Sequence, residues 1–207
     1  MGFLPIVLDL KARRCLVVGG GAVAERRVAP LVEGGAEVTV VSPTLTPGLA
    51  ALADAGRIRH VARAYRDGDV ADFELVLVAT DTKEVGAAVA VEARARGAWI
   101  NAADDPRHCD FFLPALVRRG DLVVAVGTGG TSPALARAVR EELETYLTPE
   151  YATLAELAAE VRRELRSAGR AAPADAWRRA LGPETRRIIA ERGRDYAKLH
   201  LIACLES

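Results

Sequence analysis

The chain has 207 residues, 50% of them apolar, with 28 basic and 28 acidic side chains and three cysteines. That length allows one domain with an appendage or two small domains, and the apolar share is ample for a core. The charge balance excludes global steering to nucleic acid or an acidic membrane, and Cys15, Cys109 and Cys204, at unrelated spacings, form neither a disulfide framework nor a zinc knuckle. The N-terminal MGFLPIVLDLKARR has no basic leader before a long apolar run. No stretch approaches the ~20 apolar residues of a membrane span, so a soluble cytoplasmic protein is expected.

In chain order, Pro5 to Leu10 is a short apolar lead-in, read as an extra edge strand, and Arg13 to Val18 is the first core strand. Three glycines follow at once, then a helical pattern from Ala22 through Val23, Ala24, Val28 and Leu31 that stops at Gly34-Gly35. Glu37 to Ser42 is a second strand closed by Pro43. Pro47 to Ala55 reads as a short helix, Arg57 to Ala62 as a weak third strand and Glu74 to Ala79 as a strong buried one. Thr82 to Arg96 is helical up to Gly97, and Ala98 to Asn101 is a fifth strand. Strands and helices that alternate in this way, with near-continuous apolar strands, predict an α/β fold with a Rossmann-type parallel sheet covered on both faces. Ligands then belong at the strands' carboxyl ends: Gly19–Ala22, Ser42–Thr44, Ala79–Thr82 and Asn101–Asp105.

After Pro106 the pattern changes. Phe111 to Val117 and Leu122 to Val126, joined by Arg118-Arg119-Gly120-Asp121, read as a β-hairpin. Gly127 to Ser132 is a loop, and Ser132-Pro133 is an N-cap followed by a first-turn proline for a helix running to Leu147. Pro149 to Ser167 is a further helix, and Pro173 and Gly182-Pro183 divide the rest into shorter ones. The expected division is a dinucleotide-binding domain at 1–110, a hairpin-and-helix region at 111–147 and a small helical domain at 148–207.

The spacing Gly19-x-Gly21-x-x-Ala24 between a strand and an amphipathic helix is a dinucleotide fingerprint. Gly19 permits the tight turn, Gly21 lets a pyrophosphate approach the backbone, and Ala24 lets the helix sit close to the strand. The first free N–H groups of the helix, where its dipole is positive, point at the phosphates. The second strand ends in Ser42-Pro43-Thr44 without the carboxylate that usually binds the ribose 2′-OH, leaving the Ser42 and Thr44 hydroxyls as candidates.

Asn101-Ala-Ala-Asp104-Asp105-Pro106 follows the fifth strand, where a carboxylate could accept a proton as a hydride leaves a substrate; the bland alternative is an Asp-Pro turn. Asp81, after Thr80, reads as a helix N-cap or a cofactor contact. His108 is a site candidate beside the Asp pair or a loop histidine, whereas His60 and His200 have no evident partner. Cys109 reads as a thiolate near Arg107 or, with no base in register, as an inert small hydrophobe. The loop Gly127-Thr128-Gly129-Gly130-Thr131-Ser132 either holds an anion at a helix N-terminus or is a plain turn.

Together, LPIVLDLKARRCLVVGGGAVAERRVAPLVEGGAEVTVVSP, VLVATD and NAADDPRHCDFFLPALVRRGDLVVAVGTGGTSPALARAVREELE resemble the precorrin-2 dehydrogenase/sirohydrochlorin ferrochelatase family, the siroheme synthase N-terminal module. The resemblance covers residues 3–147 closely and the helical tail loosely. It implies a homodimer that oxidises precorrin-2 to sirohydrochlorin with NAD⁺, in some members also inserting Fe²⁺ to give siroheme. It assigns acid/base work to Asp104 and nucleotide contacts to Gly19, Gly20, Gly21, Ala22, Val23, Pro43 and Thr44, with Ser42, Thr80 and Asp81 added from their strand-end positions. Candidate substrate contacts are Asn101, Arg107, His108, Thr128, Gly129, Gly130, Thr131, Ser132 and Arg137, and Arg118 and Arg119 join Arg107 and Arg137 as partners for the eight substrate carboxylates. Thr128 stands where some relatives have a phosphorylated serine. No His/Cys/carboxylate cluster offers a standing metal site, so iron would be a substrate. The methyltransferase module of complete siroheme synthases is not in this sequence, so precorrin-2 is expected from another protein. A dehydrogenase without chelatase activity, a non-catalytic NAD-sensing dimer and a dehydrogenase for a small substrate are the alternatives.

Overall fold

The computed structural model describes residues 4–103 and 105–206, and the chain divides into two compact units, Met1–Phe112 and Leu113–Ser207. In the first unit five strands, β1 (Arg14–Val18), β2 (Glu37–Val41), β3 (Arg59–Val61), β4 (Leu75–Val78) and β5 (Trp99–Ala102), form one sheet in the order β3-β2-β1-β4-β5. Every pairing is parallel, with Val17 opposite Val40 on one side and Leu77 on the other. This is the expected Rossmann-type half-sheet, and its reversal of strand order falls between β1 and β4.

The two faces of the sheet bury separate clusters. Leu16, Val18, Val76, Val78 and Ile100 pack under α3 (Lys83–Arg96) through Val89, Ala90 and Ala93. Cys15, Val17, Val40, Leu75 and Leu77 pack under α1 (Ala22–Glu33) and α2 (Pro47–Asp54) through Ala24, Val28, Leu31 and Leu49. Alternation along β1 therefore feeds both cores, which is why the strand reads as a continuous apolar run. Gly97, left-handed at φ 72°, closes α3.

The expected edge strand at Pro5–Leu10 does not form. The lead-in reaches β1 through a turn in which Arg13 N–H donates to the Leu10 carbonyl, and β1 already has β2 and β4 on its two sides. Leu4, Ile6 and Val7 remain exposed.

The second unit begins with the hairpin of β6 (Ala115–Arg119) and β7 (Leu122–Val126). Arg119 pairs with Leu122, so the turn is only Gly120-Asp121, with Gly120 at φ 59°. The first strand is therefore shifted from the expected Phe111–Val117: a two-residue turn with a positive-φ glycine in first place fits Gly120-Asp121 and draws both arginines into the ladder. Helices α4 (Pro133–Tyr146), α5 (Glu150–Ser167), α6 (Ala174–Ala180), α7 (Pro183–Arg192) and α8 (Arg194–Glu206) follow. Leu157, Val161, Ala176, Ala180, Ala197 and Leu201 make their core. Residues 113–147 and 148–207 lie in this one unit. No helix among the described residues is long and apolar enough to cross a membrane.

Candidate functional site

The glycine turn is pinned from three sides. Gly19 N–H donates to the Val41 carbonyl at 2.9 Å, Ala79 N–H to the Val18 carbonyl at 2.8 Å, and Thr46 N–H to the Gly20 carbonyl at 2.9 Å. Gly19 sits at φ 122°, and a Cβ there would lie 2.2 Å from the Ala79 carbonyl oxygen. A Cβ on Gly20 would lie 2.0 Å from the Thr44 carbonyl oxygen and 2.6 Å from Ser42 Oγ. Gly21 differs: its backbone is extended and a Cβ there would have nothing within 4 Å. The first two glycines thus let strand ends and loop close on the turn, and the third opens onto free space. Gly21 is also the N-cap of α1 and offers no side-chain cap, so the first amides of α1, including those of Ala22 and Val23, remain available to an anion. Ala24 is fully buried against the sheet, as its place in the fingerprint requires. The residues present fit a dinucleotide pyrophosphate.

At the end of β2, Ser42 is buried, and its hydroxyl donates to the Thr44 carbonyl at 2.8 Å. It shapes the loop, and its proton, expected to be open to a ribose, is used by that carbonyl. Pro43 and Thr44 are exposed beside the turn. His60, on β3, lies 2.9 Å through Nε2 from the Ser42 carbonyl oxygen, a partner not evident from the sequence. The nearby carboxylate of Glu25 accepts from the Thr46 hydroxyl and sits against Gly48, where a Cβ would meet it at 2.2 Å, so it clips α1 to the start of α2. At the end of β4, Thr80 Oγ1 accepts weakly from Thr82 N–H at 3.4 Å, and Thr82, not Asp81, is the N-cap residue of α3. Asp81 is exposed and free of the expected capping role.

Beyond β5 the chain makes a loop with a tightly bonded neck. Asp110 N–H donates to the Ile100 carbonyl at 2.8 Å, and Ile100 N–H to Asp110 Oδ2 at 3.1 Å. The Cys109 thiol faces the Ala102 amide and carbonyl, both at 3.2 Å. Asn101, 4% exposed, donates from Nδ2 to the Phe111 carbonyl at 2.8 Å and accepts at Oδ1 from Arg27 on α1. Both ends of the Asn101 amide are engaged inside the unit; expected among the substrate contacts, it holds the neck instead. Arg94 of α3 ties the far side through the Arg107 carbonyl (3.1 Å) and Asp110.

Asp104 lies outside the described residues. Its neighbour Asp105 caps a 3-10 turn over Pro106–His108, accepting from Arg107 N–H at 3.2 Å, and pairs with the Arg107 guanidinium at 3.1 Å and with His108 Nδ1 at 3.0 Å. The Arg107 guanidinium holds the Asp105 carboxyl below the usual carboxylate range, against a smaller opposing effect of desolvation. Asp105 therefore answers to the turn reading, and Arg107 and His108 are tied to it. Burial pushes the Cys109 thiol up, in keeping with an inert role.

In the second unit the loop before α4 closes on itself. Thr128 Oγ1 donates to the Ser132 carbonyl at 3.0 Å and accepts from Ser132 N–H at 3.1 Å, and Thr131 Oγ1 donates to the Thr128 carbonyl at 2.6 Å. Ser132 is the expected N-cap, its Oγ accepting from Leu135 N–H at 3.2 Å. Gly129 and Gly130 lie at φ 62° and 79°. Arg137 and Arg118 are exposed. Arg119, proposed for carboxylate binding, is taken up by the carbonyls of Leu147 (2.6 Å), Arg118 (2.9 Å) and Glu144 (3.1 Å). Among the described residues no group of three or more His, Cys, Asp or Glu could hold a metal ion.

The sequence reading missed Arg27, Cys109 as a backbone partner, and the Glu25–Thr46 clip. One signal was present: Arg27 falls on the stripe of Ala24, Val28 and Leu31, where a cation needs a partner.

A family model described as putative NAD(P)-binding matches residues 6–115, and one described as sirohaem biosynthesis protein central matches residues 119–146. The chain is 46% identical over 166 residues to the siroheme synthase of Methylobacillus flagellatus, covering 80% of this chain and 36% of that one. It is 40% identical over 206 residues to that of Methylococcus capsulatus, covering 98% and 44%. The chain thus spans less than half the length of these curated relatives. Among solved structures, "SirC, precorrin-2 dehydrogenase" superposes with a TM-score of 0.77 at 25% identity, covering 99% of both chains.

Proposed function

Because the chain belongs to the putative NAD(P)-binding family and continues into the sirohaem-biosynthesis central segment, we propose that it oxidises precorrin-2 to sirohydrochlorin with NAD⁺. The observation that carries this reading is a pair of features at the carboxyl ends of two strands of one parallel sheet. The glycine turn opens at Gly21, and the Asn101–Pro106 loop starts at the carboxyl end of β5, two strands from β1. The likeness to a precorrin-2 dehydrogenase over nearly the whole of both chains supports it.

Bound NAD⁺ supplies the hydride acceptor. The residues of this chain do the rest. The uncapped Ala22 and Val23 amides would hold the pyrophosphate, Gly21 would leave it room, and Pro43 and Thr44 would border the ribose. The other proposed cofactor contacts, Gly19, Gly20, Thr80 and Asp81, shape or border the same crevice. Asp104 accepts the proton that leaves precorrin-2 with the hydride. Asp105, held as an anion by Arg107, is the poorer base. Arg107, Arg118 and Arg137 answer the substrate's carboxylates, and Arg119 does not, since its donors are used by carbonyls.

The reading includes a homodimer in the cytoplasm, and Fe²⁺ insertion with iron as a substrate. Exposed Val123 on β7 and Leu135 and Tyr146 on α4 support the dimer. The test is anaerobic: precorrin-2 generated in situ, this protein and NAD⁺, with NADH and tetrapyrrole absorbance followed, then Fe²⁺ added. NADH with sirohydrochlorin is expected, and metal-dependent acceleration over the enzyme-free control establishes the chelatase. Asp104→Ala should cost at least about 10²-fold in turnover; full turnover would sink the proton-acceptor role. NAD⁺ binding without NADH formation would favour a sensor.

A further inference from the structure

The loop that carries Asp104 is not held by its own strand alone. Its neck is closed by Ile100 with Asp110, Ala102 with Cys109, and Asn101 with Phe111. Into the last of these pairs reaches a side chain from 74 residues away: Arg27 donates to Asn101 Oδ1. Arg27 stands on the second turn of α1, the helix whose uncapped first turn would hold the dinucleotide. Asn101 is buried, and among the described residues its one acceptor oxygen is bonded by Arg27, so removing the guanidinium strips a buried carbonyl at the neck of that partner. The guanidinium also lies close enough to Cys109 to favour its ionised form.

We propose that Arg27 is a positioning residue for the reaction: through Asn101 it ties the neck of the loop that follows β5 to the nucleotide-binding helix. The chain of contacts runs from the α1 N-terminus through Arg27 to Asn101 and from there to Phe111, which packs in the same core cluster as Ala24, Val28 and Leu31. The catalytic part of this inference rests on the dehydrogenase reading; the mechanical part does not.

The experiment therefore has two arms on the full chain. In the first, amide exchange is followed by mass spectrometry with and without NAD⁺. In Arg27→Met, exchange over residues 101–111 should be about tenfold faster than in the parent protein, and slowing by NAD⁺ over residues 22–24 should persist. Exchange over 101–111 within twofold of the parent overturns the clamp. In the second arm, NADH formation from precorrin-2 is measured. A misplaced acceptor lowers kcat by about 10–100-fold while KM for NAD⁺ stays within about twofold, and Arg27→Lys, with a donor of similar reach, recovers kcat to within about threefold of the parent. A parent-like kcat in Arg27→Met, or no recovery in Arg27→Lys, overturns the positioning role. If Arg27→Met is too unstable to purify, Arg27→Gln, polar but too short, is read in the same way. A parent protein that binds NAD⁺ but forms no NADH refutes the dehydrogenase reading, and the exchange arm then decides the clamp by itself.

Discussion

Three adjacent glycines that look alike in sequence should fail in different ways when each is replaced by alanine. Gly21 is the clearest case. Its φ of −87° and ψ of −172° are open to any residue, and an added Cβ meets nothing within 4 Å. Gly21→Ala should leave Tm within about 2 °C of the parent, because no contact is lost and no strain is added. The methyl group enters the space assigned to the pyrophosphate, so NAD⁺ affinity should fall by about 10–100-fold, or ~1.4–2.8 kcal/mol. Gly20→Ala puts the same methyl group 2.0 Å from the Thr44 carbonyl oxygen and 2.6 Å from Ser42 Oγ. Ordinary contact would require the β2–α2 loop to retreat by more than about 1 Å, an overpacking that costs about 1–3 kcal/mol and should lower Tm by about 4–12 °C. Gly19→Ala adds positive-φ strain to a 2.2 Å approach on the Ala79 carbonyl oxygen and should be the least stable of the three. Thermal melts and NAD⁺ titration calorimetry on all three variants check the order. Parent-like NAD⁺ affinity in Gly21→Ala, or a parent-like Tm in Gly20→Ala, would refute the division of labour.

Arg63 donates to both Asp69 oxygens at 2.6 Å, and its guanidinium holds the Asp69 carboxyl below the usual range. A depressed carboxylate contributes stability above its unfolded pKa of about 3.9, and that contribution disappears as pH falls through the lower folded value. Asp69→Asn should therefore lose about 1–3 kcal/mol near neutral pH, with the gap to the parent closing in acid denaturation below about pH 4. Burial pushes the Cys15 thiol up to about 11 and raises Cys109 as well, so both should react with iodoacetamide more slowly than free thiol at pH 7.5, and Cys15, fully buried, only on unfolding. Labelling rates read by mass spectrometry check this, and rapid modification of Cys15 in the folded protein would contradict it. Leu157 is fully buried at the centre of the helical core, and Leu157→Ala should cost about 2–5 kcal/mol, visible as a lower urea midpoint.

Legibility in the sequence followed the range of the interaction. The five strands and the helices between them were readable because each is set by a local period and a local stop: Gly34 ends α1 and Gly97, left-handed, ends α3. The hairpin was found but its register was not, because the apolar run at Phe111 hid the two-residue turn at Gly120-Asp121. The lead-in looked like a strand because composition cannot show whether a sheet has a free edge beside it. At the site, the glycine fingerprint and the Ser132 cap were legible for the same local reasons. Ser42, Asn101 and Arg119 were read as ligand contacts without these bonds in view, because a polar side chain at a strand end carries no mark of whether the backbone will use it first. Each proved to satisfy a carbonyl, an amide or a distant side chain that only the fold brings near.

The same competition bears on the loop at Thr128–Ser132. If its hydroxyls were the substrate contacts, each would need a proton to spare for a carboxylate. Thr128 instead bridges both backbone groups of Ser132, Thr131 donates to the Thr128 carbonyl, and Ser132 accepts from Leu135 N–H. A carboxylate can accept hydrogen bonds but not donate them, and the protons of Thr128 and Thr131 are already committed within the turn. What the loop still offers an anion is the Ser132 hydroxyl proton, since Ser132 Oγ only accepts in the cap, and backbone, the Gly129 and Gly130 amides held in left-handed geometry before α4. On this arithmetic Thr128 and Thr131 serve the ligand by shaping the turn. Thr131→Ser, which keeps the bond to the Thr128 carbonyl, should leave KM for precorrin-2 within about twofold. Thr128→Val, which breaks both links to Ser132, should raise it by about tenfold, a loss of ~1.4 kcal/mol. Equal effects from the two substitutions would return the hydroxyls to direct contact with the substrate.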